Sequence, residues 1–91
     1  MFEIEVEYFD GGSGEIALDY DSTDLRAAVG GAYKRHPDAI RRTNSAQWRL
    51  ARFRLNDARF RHSQNGEADF RFYNGGDDLL IREVRVRRVG P

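Results

Sequence analysis

The chain has 91 residues, no cysteine, a formal charge of zero, and charged residues over one-third of its length. That length fits a single domain spanning residues 1–91, and 40% hydrophobic residues are too many for a disordered chain. The longest apolar run, Leu79-Leu80-Ile81, is far too short for a membrane-spanning helix, and the absence of cysteine excludes disulfides and zinc–thiolate sites. The first five residues also lack the basic and apolar pattern of a secretory signal.

Phe2, Ile4, Val6 and Tyr8 alternate with Glu3, Glu5 and Glu7, which predicts a half-buried strand with the apolar set inward. Asp10-Gly11-Gly12-Ser13-Gly14 reads as a turn, and Ile16, Leu18 and Tyr20 mark a second strand that would close a hairpin with the first. Residues 21–24 are loop chemistry, or the cap of one helical turn over 25–29, and Gly30-Gly31 ends whatever begins there. Short strands are expected at 32–34 and 39–43, with a turn at His36-Pro37-Asp38 between them. A central strand at 47–55 turns Phe53 inward and Arg52 and Arg54 outward. Trp48 and Leu50 fall out of phase, so a bulge or twist near Leu50 is expected to bring them inward. The long irregular stretch after it has Phe60 as its anchor. Phe70 and Phe72 then alternate with Arg71 and Tyr73, and Asn74-Gly75-Gly76-Asp77 turns the chain. In the last strand, 78–89, Leu79 and Ile81 are out of phase with Val84 and Val86, which implies a bulge near Arg82-Glu83. About seven short strands with glycine-rich turns predict an all-β, antiparallel fold, a β-sandwich or a small barrel, with the two-sheet sandwich the better fit.

The zero net charge hides blocks. Residues 1–24 carry eight acids and no base, residues 25–62 carry ten bases against two acids, and residues 63–91 balance at five each. Such blocks make a basic face, or they pair with each other across strand ladders. Arg41, Arg42, Arg49, Arg52, Arg54, Arg59 and Arg61 near Trp48, Phe53 and Phe60 suggest nucleic acid as a third reading, against which the zero net charge argues. His36 and His62 have no partner in sequence, and Ser13, Ser22, Ser45 and Ser63 sit in no nucleophile motif, so the chain is not expected to be an enzyme. Asp77 and Asp78 beside two glycines form an oxygen-rich turn for a structural calcium, as do Asp19, Asp21 and Asp24, without the spacing of a twelve-residue calcium loop.

Several segments stand in a telling order: Tyr8-Phe9-Asp10-Gly11-Gly12-Ser13-Gly14, Leu18-Asp19-Tyr20-Asp21-Ser22, Ala32-Tyr33-Lys34, Gln47-Trp48, Asp57-Ala58-Arg59-Phe60, Gln64-Asn65-Gly66-Glu67-Ala68-Asp69-Phe70, and the strand through Val86. From Tyr8 to about Val86 the chain resembles the accessory modules of bacterial polysaccharide-degrading enzymes, in the galactose-binding-like class of carbohydrate-binding modules. That resemblance implies a jelly-roll sandwich, no catalysis, a polysaccharide or oligosaccharide ligand, often a structural calcium, and an extracellular place within a secreted protein. The chain departs from it in being short and in having Asn44-Ser45-Ala46 where a glycine turn is expected. Sugar binding calls for exposed aromatic faces with polar groups beside them. Tyr33, Tyr73, Trp48 and Phe9 are the aromatic candidates, with Arg71, Asp10 and Asn74 near them, and the arginine excess suits an acidic glycan through bidentate pairs. The alternative is a structural module that binds no sugar and pairs with a second copy or a neighbouring domain through an uncovered edge strand.

Overall fold

The computed structural model describes residues 1–90 and is nearly all-β. Among the described residues seven strands follow in chain order: β1 (Phe2–Asp10), β2 (Glu15–Tyr20), β3 (Lys34–Arg35), β4 (Ile40–Arg41), β5 (Gln47–Leu55), β6 (Phe70–Asn74) and β7 (Ile81–Arg88). One 3-10 turn covers Asn65–Glu67. All pairings are antiparallel. Sheet A has the order β5-β1-β7, whereas β2 is the centre of sheet B, with β6 on one edge and the short β3 and β4 sharing the other.

The expected β1–β2 hairpin does not form, because the two strands lie in different sheets. Charge explains the choice. A hairpin would bring the carboxylates of β1 against Asp19 and Glu15, and like charges across a ladder destabilise it. In sheet A, Glu3 instead faces Arg54 and Arg87, and Glu5 faces Arg52 and Arg85. The blocks of charge are therefore a cross-strand lattice. Arg87 Nη2 lies 2.6 Å from Glu3, Arg52 Nε 2.8 Å from Glu5, and Arg82 grips both oxygens of Glu7 at 2.8 and 2.9 Å. The long side chains roof the acids so completely that Glu3 is only 2% exposed. The Arg87 guanidinium, more than offsetting burial, holds the Glu3 carboxyl below its ordinary range, and Arg82 does the same for Glu7.

The other face of sheet A supplies the core. Ile4, Val6, Tyr8, Phe53 and Leu55 form one cluster with Ile16, Leu18, Tyr20 and Ile40 of sheet B. Phe72 reaches it at 6.3 Å from the Phe53 ring, and Phe60 packs back at 4.9 Å from Phe2, as its place in the sequence suggests. The β1–β5 register runs unbroken from Phe2 against Leu55 to Asp10 against Gln47, so the bulge expected near Leu50 is absent. Trp48 and Leu50 consequently stay on the outer face with the arginines, 41% and 49% exposed. The second bulge is present, because the β1–β7 register shifts between Glu7 and Tyr8 so that Arg82 is the extra residue. Residues 25–29 make turns and not a helix, with Asp24 Oδ1 accepting from the Arg26 N–H at 3.0 Å. No helix among the described residues is long and apolar enough to cross a membrane.

Candidate functional site

Tyr33, Arg71 and Tyr73 meet on the outer face of sheet B. Leu18 and Tyr20 point into the core, so Ala17 and Asp19 face outward. In the β2–β6 register Ala17 stands opposite Tyr73 and Asp19 opposite Arg71, and across the other edge Asp19 stands opposite Arg35. Arg35 forks onto Asp19 at 2.9 and 3.1 Å, and its guanidinium carbon lies 5.2 Å from the Tyr73 ring centre. Arg71 lies 4.8 Å over the Tyr33 ring, an attraction between cation and ring face. Its Nε donates to Gln64 Oε1 at 3.3 Å and its Nη2 to the Tyr33 hydroxyl at 3.4 Å. Gln64 is itself buried, because its Nε2 donates to the carbonyls of Ala32 and Asp19. Each side chain of the row is thus held by a neighbour.

Among the described residues, Arg71 has no carboxylate within ion-pair distance. Buried Arg42 likewise pairs with no carboxylate there; it donates to Asn74 Oδ1 and to the carbonyl of Asp78. Beside Tyr73, which is 57% exposed, a depression of about 400 Å³ is lined by Gly14, Glu15, Ala17, Arg35 and Gly75. A groove of about 470 Å³ runs past His36 and Arg54, but its cations are already engaged, Lys34 with Asp57 and Asp24, Arg35 with Asp19, and Arg54 with Glu3. The outer face of sheet A carries a smaller depression of about 160 Å³, lined by Leu50 and by Glu5, Glu7, Glu83 and Arg85.

The remaining sequence candidates lie elsewhere. Trp48 is on the outer face of sheet A, with Phe9 edge-on at 5.6 Å and the Arg82 guanidinium 4.2 Å from its ring centre. Asp10 is fully buried. It accepts from the Thr43 and Ser45 hydroxyls at 2.6 and 2.7 Å, from the Thr43 N–H at 2.8 Å and from Arg49 Nε at 3.2 Å, so its oxygens hold a loop. Asn74 is already engaged, donating to the Asp77 carbonyl at 2.9 Å and accepting from Arg42. Asp77 accepts from the Ser13 N–H at 2.8 Å, and Arg42 stands on the Asp78 carbonyl, so a calcium there would have to compete with a guanidinium. Among the described residues no three His, Cys, Asp or Glu side chains converge.

Arg35 and Asp19 are members of the row that residue type alone does not single out. Their place depends on a two-residue strand, β3, that lies one or two positions beyond the predicted 32–34. Comparison with known proteins finds no matching family model, no matching curated protein and no matching solved structure.

Proposed function

We propose that this protein is a non-catalytic module that binds an acidic polysaccharide across the outer face of sheet B, within a β-sandwich of the jelly-roll, galactose-binding-like kind. The observation that carries this reading is Arg71, an exposed guanidinium laid on the Tyr33 ring with no carboxylate partner among the described residues. A guanidinium with open donors takes a carboxylate through two parallel hydrogen bonds, the geometry a uronate offers. Tyr73 lies two residues further along the same face, roughly 7 Å away at strand spacing, and supplies an aromatic surface for a neighbouring sugar. Arg35, already neutralised by Asp19, steadies Tyr73. The core drawn from both sheets supports the sandwich. A structural calcium at Asp77 and Asp78 would have to displace the Ser13 N–H and the Arg42 guanidinium that this turn already holds.

Amide chemical-shift mapping with an oligouronide tests the reading. Shifts should concentrate at Asp19, Arg71 and Tyr73, vanish in Arg71→Ala, and be absent with the neutral oligosaccharide of the same linkage. Shifts confined to β1 and β5, around Trp48, would move the site to the other sheet.

A further inference from the structure

Sheet A ends in two long edge strands, and they are not equivalent. The edge of β5 is met by the His36 ring, whose Nε2 donates to the Arg54 carbonyl at 2.9 Å while Nδ1 accepts from the Asp38 N–H. Nothing comparable meets β7 among the described residues. The ladder fixes which of its groups are free. The Val89 N–H donates to the Met1 carbonyl, and Phe2 stands opposite Arg88, so Arg87, Arg85 and Glu83 turn their backbone groups toward β1. Val84 and Val86 turn theirs away from it. The side chains of these two valines lie on the core-facing side of the sheet, opposite Val6 and Ile4, yet stay 38% and 45% exposed because sheet B does not reach over them.

We propose that β7 is a self-association edge, pairing antiparallel with β7 of a second copy about a two-fold axis at Val84. The charge pattern selects this register. Centred on Val84, Glu83 faces the partner's Arg85 twice and Val84 faces the partner's Val84, with the Arg82 bulge lying just beyond these pairs. Centring on Arg85 sets Arg85 against the partner's Arg85, centring on Val86 sets Arg85 against the partner's Arg87, and centring on Glu83 sets Glu83 against the partner's Glu83. Each of those opposes like charges, which the Val84 register does not. The Val84 N–H and C=O then exchange hydrogen bonds with their counterparts, and the exposed valines of both copies adjoin. The Arg82 bulge ends the ladder, which makes it short and the association concentration-dependent. This pairing leaves the outer face of sheet B free and is independent of glycan binding.

Sedimentation equilibrium tests it. The mass should climb with concentration from 10.5 kDa toward twice that value. Val84→Pro removes an N–H that bonds nothing within its own chain, so it should abolish the rise while circular dichroism is unchanged. Glu83→Arg alone and Arg85→Glu alone each put like charges across both ion pairs and should weaken the dimer roughly tenfold. Mixed together, the two variants oppose only unlike charges and should recover it, although neither chain regains its internal Glu83–Arg85 contact. A constant mass of 10.5 kDa, a dimer that survives Val84→Pro, or a mixture no tighter than its parts would overturn the proposal.

Discussion

Asp10 and Asp21 show how single carboxylates shape this molecule. Both are fully buried, and each gathers a loop that is remote in sequence: Asp10 holds Thr43, Asn44 and Ser45, and Asp21 holds Arg59, Arg61 and Ser63. These loops contain non-glycine residues in the left-handed region, Asn44 and Ala46 in one, Phe60 and His62 in the other. Such conformations cost on the order of 1–2 kcal/mol each and need local bonds to persist. The Thr43 and Ser45 hydroxyls hold the Asp10 carboxyl far below its ordinary range, outweighing the opposing effect of burial. At Asp21 burial is the largest influence and raises the value, but the bonds from Arg59, Arg61 and Ser63 together lower it. A depressed folded value means stability that is present above the unfolded value near ~4 and lost as pH falls toward the folded one. Asp10→Asn should therefore be less stable than the parent at neutral pH, with the gap in urea midpoint narrowing steadily below pH ~4. A gap that stays constant down to acid pH would show that the Asp10 charge contributes nothing. The sequence marks Asp10 as a polar residue in a turn near aromatics, which makes it a reasonable sugar contact. Its true partners are 33–35 positions away, beyond the reach of local pattern.

At the scale of elements, two turns are built against each other. A Cβ on Gly76 would sit 2.2 Å from the Ser13 carbonyl oxygen, and one on Gly14 would sit 2.6 Å from the Gly76 Cα, with φ at +110°. The turns after β1 and after β6 are thus in backbone contact, which brings Gly14 and Gly75 together at the depression beside Tyr73. Gly76→Ala should cost about 2–3 kcal/mol in urea unfolding, whereas Gly30→Ala, at positive φ but in open space, should cost only about 1 kcal/mol. Equal costs would contradict the packed-turn account. Leu50→Arg tests the outer placement of Leu50 in the same way. The new cation would face Glu7 across the ladder, so stability should change by less than about 0.5 kcal/mol, and a loss above about 2 kcal/mol would restore Leu50 to the core. Strand number and positions follow from period-two alternation, and the Arg82 bulge follows from its break in phase. The same rule fails at Trp48 and Leu50, because an apolar residue at an outward position looks identical to a phase shift. The β1–β2 hairpin misleads for a related reason: a glycine turn between alternating strands does not reveal that the acids of β1 require arginines on both flanks.

Over the whole molecule, the acidic start and the arginine-rich remainder neutralise each other in place, which leaves few cations open. Arg71 is one, and its position above Tyr33 and along the strand from Tyr73 is what supports the proposed binding face on sheet B. Tyr33, Tyr73 and Arg71 were legible as candidates from residue type and nearby loops. Their convergence was not, because it depends on β6 pairing with β2 across fifty residues and on buried Gln64 aiming the guanidinium. Trp48, the most conspicuous aromatic in the sequence, belongs to the opposite face of the fold. The most direct test is native affinity electrophoresis of the parent, Arg71→Ala and Tyr73→Ala against neutral and acidic polysaccharides, with calcium and with chelator. The account predicts that an acidic polymer retards the parent, that both substitutions abolish the retardation, and that neutral polymers leave mobility unchanged. Equal mobility of the folded parent in every polymer would contradict it.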